Sequence, residues 1–80
     1  TMVVLPNPVG EALTVYVPHV ASMEGTATIY DAAARKVLET TITVDAEGKG
    51  TLQVGGLSPG AYSLSVEVGG KSSKVSFMKR

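Results

Sequence analysis

The chain is 80 residues long, with 44% hydrophobic and 18% charged residues, seven Lys plus Arg against seven Asp plus Glu, and no cysteine. That length holds one domain, residues 1–80, which buries about 60% of the surface its unfolded form exposes and leaves no room for a cleft between domains. Zero net charge argues against long-range attraction to nucleic acid, the lack of cysteine removes disulfides, structural zinc and thiol chemistry, and no apolar run approaches the ~18 residues that cross a bilayer as a helix.

Apolar and polar residues alternate with period two along most of the chain, and a 3.6-residue period never persists for a helix length. The run Val3–Leu5 is a first strand. Thr1-Met2-Val3-Val4-Leu5 lacks the basic start and long apolar core of a secretory signal, so if the protein is exported another segment directs it, and the abrupt opening on a strand-like run is expected to mark a piece of a longer polypeptide. Leu13, Val15 and Val17 face inward on a second strand. Val17-Pro18-His19-Val20-Ala21-Ser22 has loop composition, and His19 is the single imidazole, without a spaced partner for a catalytic triad or a metal site. It reads as an exposed loop histidine.

Ala27 and Ile29 mark a third strand, in which Thr26, Thr28 and Tyr30 favour extended backbone. Asp31-Ala32-Ala33-Ala34 contains good helix formers, but so short a run does not repay helix nucleation and predicts a turn. Leu38, Ile42 and Val44 follow on a fourth strand. The segment Asp45-Ala46-Glu47-Gly48-Lys49-Gly50 lacks the oxygen ligands and terminal Glu of a calcium loop and predicts another turn.

Leu52 and Val54 make a short fifth strand, after which Gly55-Gly56 and Ser58-Pro59-Gly60 read as reversals. On the sixth strand Tyr62, Leu64, Val66 and Val68 share a buried face, while Ala61, Ser63, Ser65 and Glu67 face water. Gly69-Gly70 fits a two-residue type I′ or II′ loop that pairs this strand antiparallel with the last one, which carries Val75 and Phe77. The four aromatics, Tyr16, Tyr30, Tyr62 and Phe77, are expected to pack rather than to stack on bases.

Lys71, Lys74, Lys79 and Arg80 leave the end basic, and all the carboxylates lie earlier. The simplest reading is a solvated tail, and electrostatic docking is the other.

Seven short strands with regular turn signals predict an all-β, antiparallel, Greek-key, immunoglobulin-like sandwich, with a small closed barrel as the alternative. No catalytic, cofactor-binding or metal-ligating set is legible, so the chain reads as a domain that is recognised rather than an enzyme.

Four pieces taken in order carry a resemblance: Pro6-Asn7-Pro8, then Tyr30-Asp31 followed by Arg35-Lys36-Val37, then Leu57-Ser58-Pro59-Gly60-Ala61-Tyr62, then a final strand ending in Lys79-Arg80. Together, from about Leu5 to Arg80, they resemble the C-terminal sorting domain of the type IX secretion system. The family's middle motif has a glycine before its basic residue, where this chain has Ala34. The turn must therefore avoid a positive φ there or carry strain of about 1 kcal/mol or more. Leu57, Gly60 and Tyr62 match the family's Leu-x-x-Gly-x-Tyr signature, whose tyrosine lies one residue nearer the glycine than in a fibronectin-type tyrosine corner.

The resemblance implies a non-catalytic address label on an exported cargo that crosses the periplasm and then the outer membrane of a Bacteroidota-type bacterium, for surface attachment or release. The implied partners are the type IX translocon and a cell-surface sortase, with anionic lipopolysaccharide as a further one, and no cofactor. A monomer is expected, with exchange of the terminal strand between copies as a route to a dimer. The last strand and its basic end, through Lys74, Val75, Phe77, Lys79 and Arg80, are the expected translocon-recognition residues. A fibronectin-type structural or adhesive module of a surface protein is the alternative, and a carbohydrate-binding or enzymatic accessory domain is a third reading.

Overall fold

The computed structural model describes residues 2–5 and 9–80. Alternation becomes strand wherever one face of a run is apolar enough to bury. The strands are β1 (Val3–Leu5), β2 (Ala12–Tyr16), β3 (Met23–Asp31), β4 (Lys36–Val44), β5 (Lys49–Gln53), β6 (Gly60–Val68) and β7 (Lys71–Lys79).

They form two antiparallel sheets, one ordered β1-β2-β5 and the other β4-β3-β6-β7. The chain changes sheet between β2 and β3, between β4 and β5, and between β5 and β6, as an immunoglobulin-like sandwich requires. The fold is therefore all-β and open at its edges, and the barrel alternative falls away.

Inward parity assembles the core. Leu13, Val15, Ile29, Ile42, Val44, Leu64 and Val66 are each no more than 1% exposed, and Phe77 joins them as the buried aromatic. Each such burial contributes about 1.5–3 kcal/mol, which is how a short chain of mostly branched aliphatics sustains a single core. Tyr16 departs from the packing expected of it. It sits at an outward position of β2, 41% exposed, opposite Val3 of β1, because Leu13 and Val15 fix the parity of that strand and turn residue 16 to water.

Among the described residues three glycines stand where a Cβ would come closer than 3.0 Å to a neighbour, one of them Gly48, at 2.7 Å from the Val17 carbonyl oxygen. A Cβ on Gly25 would stand 2.2 Å from the Glu67 carbonyl oxygen, and one on Gly50 would stand 2.8 Å from Ile42 Cδ1. Gly69 and Gly70 have φ of 59° and 79°, the two positive angles of a type I′ turn, so the β6–β7 hairpin forms as the sequence predicts. The chain reverses after β5 at Gly55-Gly56, closed by the Leu57 N–H on the Val54 carbonyl at 3.0 Å. Pro59 lies in a bend, and Gly60 already belongs to β6.

Candidate functional site

Residues 31–35 and residues 45–49 fold by one local rule. The Asp31 carboxylate Oδ1 accepts the N–H groups of Ala33 and Arg35, both at 2.9 Å, and Oδ2 accepts Arg35 Nε at 2.9 Å. Backbone bonds from Asp31 N to Arg35 O and from Ala34 N to Asp31 O close the loop. Asp45 repeats the Oδ1 and backbone bonds with Glu47, Gly48 and Lys49, without the side-chain bond that Arg35 makes.

The backbone N–H of Arg35 is the main reason that the Asp31 carboxyl is held below its ordinary range; burial opposes it, while Ala33 and the Arg35 side chain assist. For Asp45 the N–H groups of Lys49 and Glu47 do the same. Both carboxylates are thus spent on their own backbone. Among the described residues no group of three or more His, Cys, Asp or Glu gathers to hold a metal.

Ala34, in the place of the family's glycine, has φ 65° and carries the strain that the sequence allowed for. Its counterpart in the second turn is Gly48, with φ 84°.

Tyr62 and Leu57 pack partly buried against the core. The Tyr62 hydroxyl donates to the Ser58 carbonyl at 2.6 Å, and its ring stacks on Phe77 with centroids 5.7 Å apart. A tyrosine-corner bond therefore forms despite the shorter spacing from the glycine. The motif ties the β5–β6 connection to the last strand.

β7 is the edge strand of the four-stranded sheet, paired with β6 from Lys71 to Lys79. Its final residues are not open. The Val9 N–H donates to Met78 O at 2.6 Å and the Arg80 N–H to Val9 O at 3.0 Å, around a parallel bridge between Val9 and Lys79. Among the described residues the strand's free edge therefore runs from Lys71 to Phe77.

The five residues expected to be recognised divide between the two faces. Phe77 is buried and Val75 half-buried against the core. Lys79 is only 8% exposed, with its Nζ donating to Arg80 O at 3.1 Å. This corrects the reading of the basic end as a wholly solvated tail: the register that buries Phe77 also turns residue 79 inward, and only its ammonium finds a polar partner. Lys74 and Arg80 stay exposed, Lys74 with its Nζ 5.8 Å from the centre of the Tyr30 ring. The Pro6-Asn7-Pro8 motif lies outside the described residues.

Beside Lys74 the outer face of β3, β6 and β7 is hollowed into a shallow groove of about 540 Å³, bordered by the Asp31–Arg35 turn. Sequence reasoning singled out Tyr30, Asp31, Tyr62, Lys74 and Phe77 but gave no site role to Ala32, Ala34, Ala61, Ser63, Ser76 and Met78, which complete it. The available signal was the run Ala61, Ser63 and Ser65 on the water-facing side of β6, where long charged side chains usually stand.

The family of secretion system C-terminal sorting domains matches residues 3–80. The chain belongs to that family. Curated proteins return no match. As a sorting domain of type IX secretion, it is a part of exported proteins that pass to the outer membrane or cell surface, and its family is not one of enzymes.

Proposed function

We propose that this sorting domain is a non-catalytic address that the type IX translocon reads at β7, delivering the attached cargo across the outer membrane for surface attachment by a sortase or for release. The observation that carries the reading is the placement of β7. It ends the sheet with a free edge from Lys71 to Phe77 among the described residues, while its core-facing side chains lock it in place. A pre-formed edge offers backbone hydrogen bonds to a partner strand at little ordering cost, and flanking lysines discourage indiscriminate pairing. Lys74 and Arg80 stand on the accessible side and supply charge.

The test is a fusion of the domain to an exported reporter in a type IX host, with and without residues 74–80. Loss of surface reporter on truncation is expected. Because the truncation also removes buried Phe77, a second variant carries Lys74→Glu and Arg80→Glu, and its fold is checked by circular dichroism. Surface delivery equal to the parent from both variants would refute the reading.

A further inference from the structure

The outer face of the four-stranded sheet is laid out in cross-strand rows. Thr28, Ser65 and Lys74 form one row, Tyr30, Ser63 and Ser76 the next, and Ala61 with Met78 the third. The second and third rows make the groove floor and one wall. Alanine and serine cannot reach across it, so the hollow persists, and its volume of about 540 Å³ exceeds what one side chain fills. Met78, 50% exposed, forms a soft and polarisable rim suited to an aromatic or long aliphatic group.

The groove has one cation at its head. Lys74 leans over Tyr30, and the two ion pairs among the described residues join Arg35 to Asp31 and Lys36 to Glu39, so neither supplies it with a carboxylate. Glu67, one row further along β6, makes no ion pair with it. Asp31 lines the slot as well, but its carboxylate is taken up by the Ala33 and Arg35 N–H groups and by Arg35 Nε, so a largely apolar slot with an unneutralised ammonium at one end is complementary to an apolar group that has an anion beside it.

We propose that this groove is a docking site for a protein segment presenting an aromatic or long aliphatic side chain next to a carboxylate. The apolar group lies between Tyr30 and Met78 and the carboxylate on Lys74, with Ser63 and Ser76 hydroxyls free to bond the segment's backbone. The proposal rests on the address reading for taking the occupant to be a protein rather than a sugar. It adds a face contact beside the free edge of β7, so that one partner can grip the strand from two directions.

The test uses the ¹⁵N-labelled chain titrated with the peptide Ac-Asp-Phe-Asp-Leu-Asp-NH2, its Asn counterpart, and trigalacturonate as an anionic sugar. The acidic peptide is expected to shift the amides of Tyr30, Ser63 and Ser76, and to bind at least about fivefold more tightly than the Asn peptide. Lys74→Gln is expected to weaken it by a similar factor, and Ala61→Lys, which fills the slot from an exposed position, to abolish the localised shifts while the spectrum stays dispersed. No localised shifts at millimolar peptide, equal binding to both peptides and to Lys74→Gln, or a preference for trigalacturonate would overturn the proposal. Failure of the address reading is seen separately: unaltered reporter delivery after truncation refutes that reading, whereas a specific peptide titration still upholds the groove.

Discussion

Replacing Ala34 by glycine is expected to stabilise the domain, although the same change in a strand would weaken it. Ala34 holds φ 65°, a left-handed conformation that costs an L-residue about 1–2 kcal/mol. Glycine removes that cost but loses about 0.4–1 kcal/mol through the greater freedom of the unfolded chain. No packing is lost because Ala34 is exposed, and its N–H bond to Asp31 O survives. The difference runs up to about 1.6 kcal/mol and centres on about 0.8 kcal/mol, a rise in Tm of roughly 3–6 °C for a domain of this size.

The twin turn supplies the control. Alanine at Gly48 would adopt φ 84° and would also set a Cβ 2.7 Å from the Val17 carbonyl oxygen and 3.1 Å from that of Val20. Strain and collision together predict a loss of about 2 kcal/mol or more. Thermal and urea unfolding of the two variants beside the parent decide the matter. A lower Tm for Ala34→Gly, or a Gly48→Ala variant as stable as the parent, would refute the assignment of strain to these positions.

Three further outcomes are expected. Gly25→Ala puts a methyl group 2.2 Å from the Glu67 carbonyl oxygen and 2.5 Å from Val68 Cγ2, so the β3–β6 pairing must shift; urea unfolding should show a loss of about 1–3 kcal/mol or more. Tyr62→Phe removes the bond to Ser58 O and, because that carbonyl can turn to water, should cost about 0.5–1.5 kcal/mol in the same assay while the amide spectrum is preserved outside residues 57–62. The folded-state pKa values of Asp31 and Asp45 lie below 3.8, so the stability they confer is complete above that value and disappears as pH falls through the lowered folded values. Thermal melts from pH 7 to pH 2 should show a smaller acid-side fall for the Asp31→Asn, Asp45→Asn double variant than for the parent.

Several of the ordered motifs that point to an address role have physical tasks in the fold. Tyr30 and Asp31 end β3 and begin the turn that borders the groove. Leu57 and Tyr62 clamp the β5–β6 connection onto Phe77. The inward or outward side of each β7 residue was legible from its alternation, since Val75 and Phe77 set the parity. What the charge reading missed was Lys79, because a charged residue suggests water while the parity suggests the core, and parity wins when the stem can be buried and the ammonium bonded. The groove escaped because it exists only when the outward residues of three strands are brought side by side.

Local sequence determined the strands, their faces and the turns, since period-two burial and side-chain-to-backbone bonds act within a few residues. Asp31 to Arg35 and Asp45 to Lys49 show where that reach ends. Their backbone bonds and the N–H bonds to the aspartate Oδ1 are the same, yet the first turn folds β4 back beside β3, whereas the second delivers β5 to the other sheet beside β2. An aspartate bonding its own loop sets the sharpness of the reversal and nothing beyond it. The destination was decided by tertiary structure, which lays β5 along β2, carries the Val17 N–H to Gly48 O and the Ser22 N–H to Asp45 O, and closes the two sheets over one core.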